Sequence, residues 1–315
     1  MAGTRKAAVA VVLGALALTA TACNDNSDSG KNAAPAAPTT AAAATTQAAP
    51  PAKVSPAVFL EQVTKKTGAA KSAKVTEDIA IGSITMKADG AMGWGDGLQG
   101  DMTMDMSGMP NADKMTASMG GTAFVYRFVP DGMYMKLGGD ALKASDGRHW
   151  VHIGFDDVAK MQGGGTAAGG ASTADQFKKA DPVEGVRTLI ASGTVTEVGQ
   201  ETVNGKPATH YTGVLNVANM AKANGGLTPE QVDQLKKSLA TMGITSETID
   251  VWVDADQLVV KRTEQADTKA GAMKVTVTYS DYGTPVATTA PDKSDSIEIT
   301  ELAKLGKDAA AADNS

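Results

Sequence analysis

The sequence predicts an α+β domain built on one large antiparallel sheet. Three observations lead there. Apolar residues repeat at every second position over long stretches, which is the period of strands with one buried face. Short turn signals separate those stretches, as in a meander. Capped segments with a period of three to four break the series, giving the order strands, helix, strands, helix, strands.

The folded part opens with a helix. Ser55 is placed to cap it, Pro56 is its first residue, Phe59 and Val63 mark its apolar face, and Gly68 is its stop. From Lys74 to Gly154 the period is two. Val75, Ile79 and Ile81 share one strand, and Ile84 and Met86 lead the next. Met102, Met104 and Met106 alternate with Thr103 and Asp105, and Met115, Ala117 and Met119 alternate with Thr116 and Ser118, so both runs are read as strands. Phe124 to Val129, Met133 to Lys136 and Trp150 to Ile153 continue the pattern. Residues 163–173, all Gly, Ala, Ser or Thr, are expected to form a loop. Asp181-Pro182-Val183-Glu184 starts a second helix, with Leu189 and Ile190 inward and Gly193 as its end. The turn Asn204-Gly205-Lys206-Pro207 joins two strands, Val195 to Val203 and Ala208 to Val217. Thr228-Pro229-Glu230-Gln231 opens a third helix, whose apolar residues Val232, Leu235, Leu239 and Met242 run to Gly243. Strands at Thr248–Val253, Leu258–Gln265 and Met273–Tyr279 close the domain.

The chain before this domain has a different character. Arg5 and Lys6 precede twelve apolar or small residues, Ala7 to Leu18, and then Thr19-Ala20-Thr21-Ala22-Cys23. That order is a secretory signal peptide. Its apolar run falls short of the roughly 20 residues that a membrane span needs. Cys23 is the only cysteine, and small residues before a cysteine match a lipobox, in which the thiol receives a lipid and cleavage leaves Cys23 first. Most lipoboxes carry Leu where this chain has Ala20. Residues 1–22 are therefore the leader, and 23–54 a lipidated start followed by a tether. Residues 33–52 contain only Ala, Pro, Thr and one Gln, which can bury no core. Residues 55–306 form the domain and 307–315 an unstructured tail. The expected site is the outer face of the cytoplasmic membrane. After removal of the leader, 27 basic and 35 acidic side chains remain, a net charge of −8. That sign, with no basic cluster, excludes nucleic acid as a partner.

Several stretches are informative together. Gly199-Gln200-Glu201-Thr202-Val203-Asn204-Gly205 leads into Thr209-His210-Tyr211-Thr212-Gly213, and Val251-Trp252-Val253-Asp254 precedes Leu258-Val259-Val260-Lys261-Arg262. Val275 to Tyr279 then runs into Asp281-Tyr282-Gly283-Thr284-Pro285-Val286, with Pro291 beyond. With the lipobox, this order resembles the LppX/LprAFG-type lipoproteins of actinobacteria, which share the fold of the LolA and LolB lipoprotein carriers. The resemblance runs from Lys53 to Leu305 and is strongest from Val186 to Pro291. It implies a strongly curved antiparallel half-barrel with helices across its concave face. It also implies an apolar cavity between them that takes the chains of an acylated lipid or glycolipid, with no cofactor. The turn Asp254-Ala255-Asp256-Gln257 departs from the family in lacking a glycine, and the Met-rich first half has no parallel in it.

The chain holds 15 Met but only 5 Phe, 5 Tyr and 3 Trp. Met86, Met102, Met104, Met106, Met115 and Met119 are the candidate cavity lining. Three readings compete: ordinary core packing, a pliable wall for variable acyl chains, and Cu(I) held by thioethers. Met102-x-Met104-x-Met106-x-x-Met109 suits the last, although no His or Cys supports it nearby. A sensor or interaction domain for a protein partner is a further alternative. Catalysis is not expected. Common nucleophile, phosphate-loop, dinucleotide and zinc-protease motifs are missing, and Lys66-Thr67-Gly68 lacks the S-x-x-K that would give it meaning. His149 and His152 fall on opposite faces of a strand, and His210 suits a structural hydrogen bond.

Cys23 yields a direct expectation. Cells fed a labelled fatty acid should label the wild-type chain and leave Cys23→Ser unlabelled; equal labelling of both would remove the anchor.

Overall fold

The computed structural model describes residues 54–154, 181–216, 229–286 and 289–312. The leader, Cys23, the tether and the expected loop at 163–173 lie outside these residues. Helix α1 (Pro56–Ala69) starts where expected: Ser55 Oγ accepts from Val58 N, Pro56 follows, and Leu60, Val63 and Thr67 are buried on one face. Five strands come in close succession, β1 (Ser72–Ile81), β2 (Ile84–Gly93), β3 (Gln99–Gly108), β4 (Ala123–Val129) and β5 (Gly132–Lys136), with helix α2 (Ala112–Met119) between β3 and β4. Helix α3 (Gly139–Ala144) and β6 (Trp150–Gly154) complete this half. The second half holds α4 (Pro182–Ala191), β7 (Thr196–Val203), β8 (Lys206–Asn216), α5 (Pro229–Met242), β9 (Ser246–Asp254), β10 (Val259–Thr268) and β11 (Gly271–Ser280). A short 3-10 turn, β12 (Ser296–Glu298) and α6 (Ile299–Ala312) end it.

Among the described residues the strands form one twelve-stranded sheet, in the order β12-β6-β5-β4-β3-β2-β1-β11-β10-β9-β8-β7. Two antiparallel meanders spread in opposite directions from a central seam. The seam pairs β1 with β11, from Lys74 opposite Ser280 to Ile81 opposite Met273. Tight turns fix the register of several other pairs. Asn204 and Gly205, at φ 51° and 76°, make the two-residue turn between β7 and β8, in which both central residues need positive φ. β12 alone runs parallel to its neighbour, β6.

Alternation gives the sheet two unlike faces. Leu60 and Val63 of α1, Val186 and Leu189 of α4 and Leu239 of α5 share the main apolar cluster with Val75, Met92, Met102, Phe128, Tyr211, Val251, Val277 and Tyr279. At the other end, Met119 of α2, Leu142 of α3 and Leu302 of α6 join a second cluster around Leu137, Val151 and Ile297. α4 owes its position to Asp181, whose carboxylate accepts from Val183 N at 2.9 Å, and to Pro182 at its first position.

Two expectations are corrected. The resemblance implied a strongly curved, LolA-like half-barrel with helices across a concave face, but the sheet is neither closed nor strongly curled. Coiling a sheet requires repeated bulges or glycine kinks across neighbouring strands. Among the described residues the ladders shift register only at Thr85/Lys87, Glu197/Gly199 and Val259/Lys261. The second correction concerns Met115, Ala117 and Met119, which form helix α2 rather than a strand. Gly120, at φ 80°, stops that helix. The helix holds although Thr116 and Ser118 bond their hydroxyls to the carbonyls of Ala112 and Lys114, because its backbone bonds, such as Met115 N to Asn111 O, override the two-residue alternation.

Leu60 is fully buried where α1 meets the sheet. Leu60→Ala is expected to lower unfolding stability by about 2–5 kcal/mol, read as a lower urea midpoint at unchanged slope.

Candidate functional site

The covered face has an apolar half and a half with charge sealed into it. The apolar half lies on β2 to β5. Met102 stands opposite Gly90 on β2 and Tyr126 on β4, and Met104 opposite Ala88 and Phe124. Met102 is 8% exposed and belongs to the main cluster; Met104, Tyr126 and Met133 pack partly buried against it. Gly90 permits this spacing: a Cβ there would lie 2.0 Å from the Asp101 carbonyl oxygen. Met106 follows two residues on and is half-buried, its N–H bonded to Thr122 O at 2.9 Å. Met86 sits at the register shift of β2, opposite Ile79 and half-buried. Of the two methionines on α2, Met119 packs in the second cluster with Met135, and Met115 is half-buried. The fold thus brings Met102 and Met104 together with Met92 and Met133 in one cluster, whereas Met119 belongs to the other cluster and Met115 to neither. Cys23 lies outside the described residues.

The second half surrounds Arg262 on β10. It is 3% exposed, and its Nη1 lies 3.1 Å from Glu264 Oε1. Helix α4 passes directly over it, since a Cβ on Gly185 would fall 2.2 Å from Arg262 Cδ. Burial works to lower the guanidinium pKa, but Glu264, Tyr279, Glu77 and Glu247 outweigh it and hold the pKa above its ordinary value. Glu77 on β1 faces the same way, and burial raises its carboxyl, with Arg262 opposing and Glu264 adding to the rise. Tyr279 is raised by burial too. Among the described residues Arg262 Nε has no hydrogen-bond partner. Sequence reasoning missed this cluster. The available signal was phase: Glu77 falls in step with Val75 and Ile79, and Arg262 and Glu264 in step with Ala266.

The opposite face is more polar and carries His210 and His152. His210 Nδ1 is 2.8 Å from Glu201 Oε1, and its Nε2 is 2.9 Å from Asp250 Oδ1. Its ring stacks on Trp252 at 4.2 Å, Trp252 Nε1 donates to Glu201 at 2.8 Å, and Lys261 covers the indole at 4.0 Å. These bonds from Trp252 and His210 hold the Glu201 carboxyl below its usual range. His210 therefore has the structural hydrogen-bonding place that its sequence suggested. His149 and His152 serve the sheet edge, with His149 Nδ1 at 2.7 Å from Asp295 and His152 Nδ1 at 2.9 Å from Glu298. Arg148 adds Glu301 at 3.1 Å. Among the described residues no three His, Cys, Asp or Glu side chains converge as a metal site. A groove of about 590 Å³ on this face is floored by Lys74, Asp89, Asp101 and Thr103 and roofed by Pro285 and Val286.

Comparison with known proteins places this chain among actinobacterial lipoproteins. It is 31% identical over 306 residues to a Streptomyces coelicolor protein described as a candidate lipoprotein, covering 95% of this chain and 96% of that one. The chain belongs to this lipoprotein family. A second relative, an uncharacterized 31.2 kDa protein from the rplA–rplJ intergenic region of Streptomyces griseus, is 41% identical over 256 residues, covering 81% of this chain and 82% of that one. No family model matches. Among solved structures, the chain is similar to the lipoprotein LppX of Mycobacterium tuberculosis, at 13% identity and a TM-score of 0.41, covering 75% of this chain and all of that one. LprF of Mycobacterium bovis follows at 15% identity and a TM-score of 0.37, covering 75% and 96%. At these scores neither decides the fold, which rests on the sheet itself.

The raised Glu77 carboxyl gives a pH dependence with a definite sign. Just above the ordinary value of 4.5, the folded chain keeps a proton that the unfolded chain has lost. Stability therefore falls as pH rises through that window. Urea unfolding at a series of pH values should show that decline in wild type and lose it in Glu77→Gln.

Proposed function

We propose that the domain is held on the outer face of the cytoplasmic membrane by acylated Cys23, and that it binds the chains of an acylated lipid or glycolipid without catalysis. The observation that carries this reading is the methionine-rich half of the covered face, where Met92, Met102, Met104 and Met133 lie with Tyr126 and Phe128 in one apolar layer. Unbranched thioether side chains re-pack at low cost, so such a wall fits chains of varied length and saturation. Burial of each CH₂ contributes about 0.8 kcal/mol, enough for a few buried methylenes to hold a lipid. Membership of a lipoprotein family supports the anchor. A diacylglyceryl group brings two chains, which together hold a protein stably at a bilayer.

The packing of Met102 and Met104 among carbon side chains favours an apolar role for them over copper ligation. The reading concerns the face of an open sheet and requires no trough.

The test is native mass spectrometry of the full chain, extracted gently from its own host membrane. Mass increments matching acylated lipids are expected on the wild type and should be depleted in Met104→Lys. A folded wild-type chain that never carries lipid would overturn the reading.

A further inference from the structure

A second cavity, in the helical layer, is not used by acyl-chain binding. It is a groove of about 390 Å³ between α1, the loop after β2 and the start of α4, in the size range of small-molecule sites. Lys65, Lys71 and Arg187 line it with Trp94, Gly68 and Asp181. Three cations against one carboxylate reverse the sign of a chain whose net charge is −6. The carboxylate is already engaged, capping α4 through Val183 N–H. Among the described residues neither Lys65 nor Lys71 has a carboxylate within ion-pair reach, and Arg187 has Glu184 of its own helix at 3.6 Å.

The cations are held by the fold. α1 and α4 run close together at Gly68, where an added Cβ would lie in ordinary contact with Val183 at 3.5 Å. Lys71 takes a left-handed φ of 63°, and its carbonyl accepts from Trp94 N at 2.8 Å. Its stem lies against Gly95, where an added Cβ would be 3.0 Å from Lys71 Cδ. Trp94 forms a fixed wall of the groove, packed against the main apolar cluster and edge-on to Tyr282 at 6.1 Å. A phosphate supplies acceptor oxygens and a charge that suits Lys and Arg.

We infer that this groove binds the phosphate group of a ligand, a phospholipid headgroup or a free phosphate ester, through Lys65, Lys71 and Arg187.

The test titrates the full acylated chain, in neutral maltoside detergent, with glycerol 3-phosphate, dihexanoylphosphatidylglycerol and phosphate-free dihexanoylglycerol. Calorimetry reads each Kd for wild type, Lys71→Gln/Arg187→Gln and the charge-preserving Arg187→Lys. Differences between variants cancel partition into the micelle. The double variant should weaken the phosphorylated probes at least about tenfold, the scale of one charge-assisted hydrogen bond, and Arg187→Lys should recover part of the loss. Lys65→Gln, at an exposed helix position, repeats the test should the double variant fail to fold. Weakening of phosphatidylglycerol alone identifies a headgroup, and equal weakening of both phosphorylated probes a free phosphate. Wild type that binds neither, or variants that bind both as wild type does, would overturn the inference. Failure of dihexanoylglycerol alone would count against acyl-chain binding and leave this groove standing.

Discussion

The seam between β1 and β11 is the constraint on which the rest of the molecule depends. It joins two meanders in which successive strands pair through tight turns or across an intervening helix. Everything at its end is tied to it. Ser72 donates to Thr284 O at 2.7 Å, and Gly283 N to Ser72 O at 2.9 Å. Tyr282 Oη donates to Val259 O, and Val259 N to Thr67 Oγ1 of α1. Helix α1 is thereby pinned over the junction, and α4 packs beside it across Gly185 and Arg262.

The division of the covered face follows from the seam. On the β10–β11 side, adjacent to α4, the fold seals Arg262 with Glu264 and Glu77 under helix. A buried charge group of this kind holds its own parts in place, because separating them leaves an uncompensated ion. On the β2–β5 side the face is built from methionine and aromatic side chains with no such lock. One side is therefore specified by charge geometry and the other by volume alone, which is the arrangement a pliable binding wall needs.

Much of the chain was legible because local rules and global fold agree in it. Ser55-Pro56 and Asp181-Pro182 mark helix starts through capping chemistry, and Asn204-Gly205 marks a hairpin through positive φ. The alternation of Met102, Met104 and Met106 placed them on one strand face. The same alternation misled at Met115 and Met119, where a period of two over five residues cannot be told from one helical face, since i and i+4 coincide in both. Curvature was illegible for another reason: it depends on bulges summed over many ladders, and single strand patterns do not carry it. The buried charges were hidden because Glu77, Arg262 and Glu264 read as ordinary polar residues until neighbouring strands set their phase.

The seam also governs how the chain comes to be folded. Ser72 and its partner Thr284 are 212 residues apart. A growing chain completes β1 to β6 long before β11 exists, so the first meander waits with a ten-residue strand edge unpaired. Exposed strand edges of that length template unwanted pairing, and contacts so distant in sequence form slowly. Lys74, Thr76 and Asp78 put charged and polar side chains on the exposed face of that edge, and charged side chains on an edge strand discourage unwanted pairing. The charges on β1 thus act before the native state forms, guarding a vacancy that only the far end of the chain can fill.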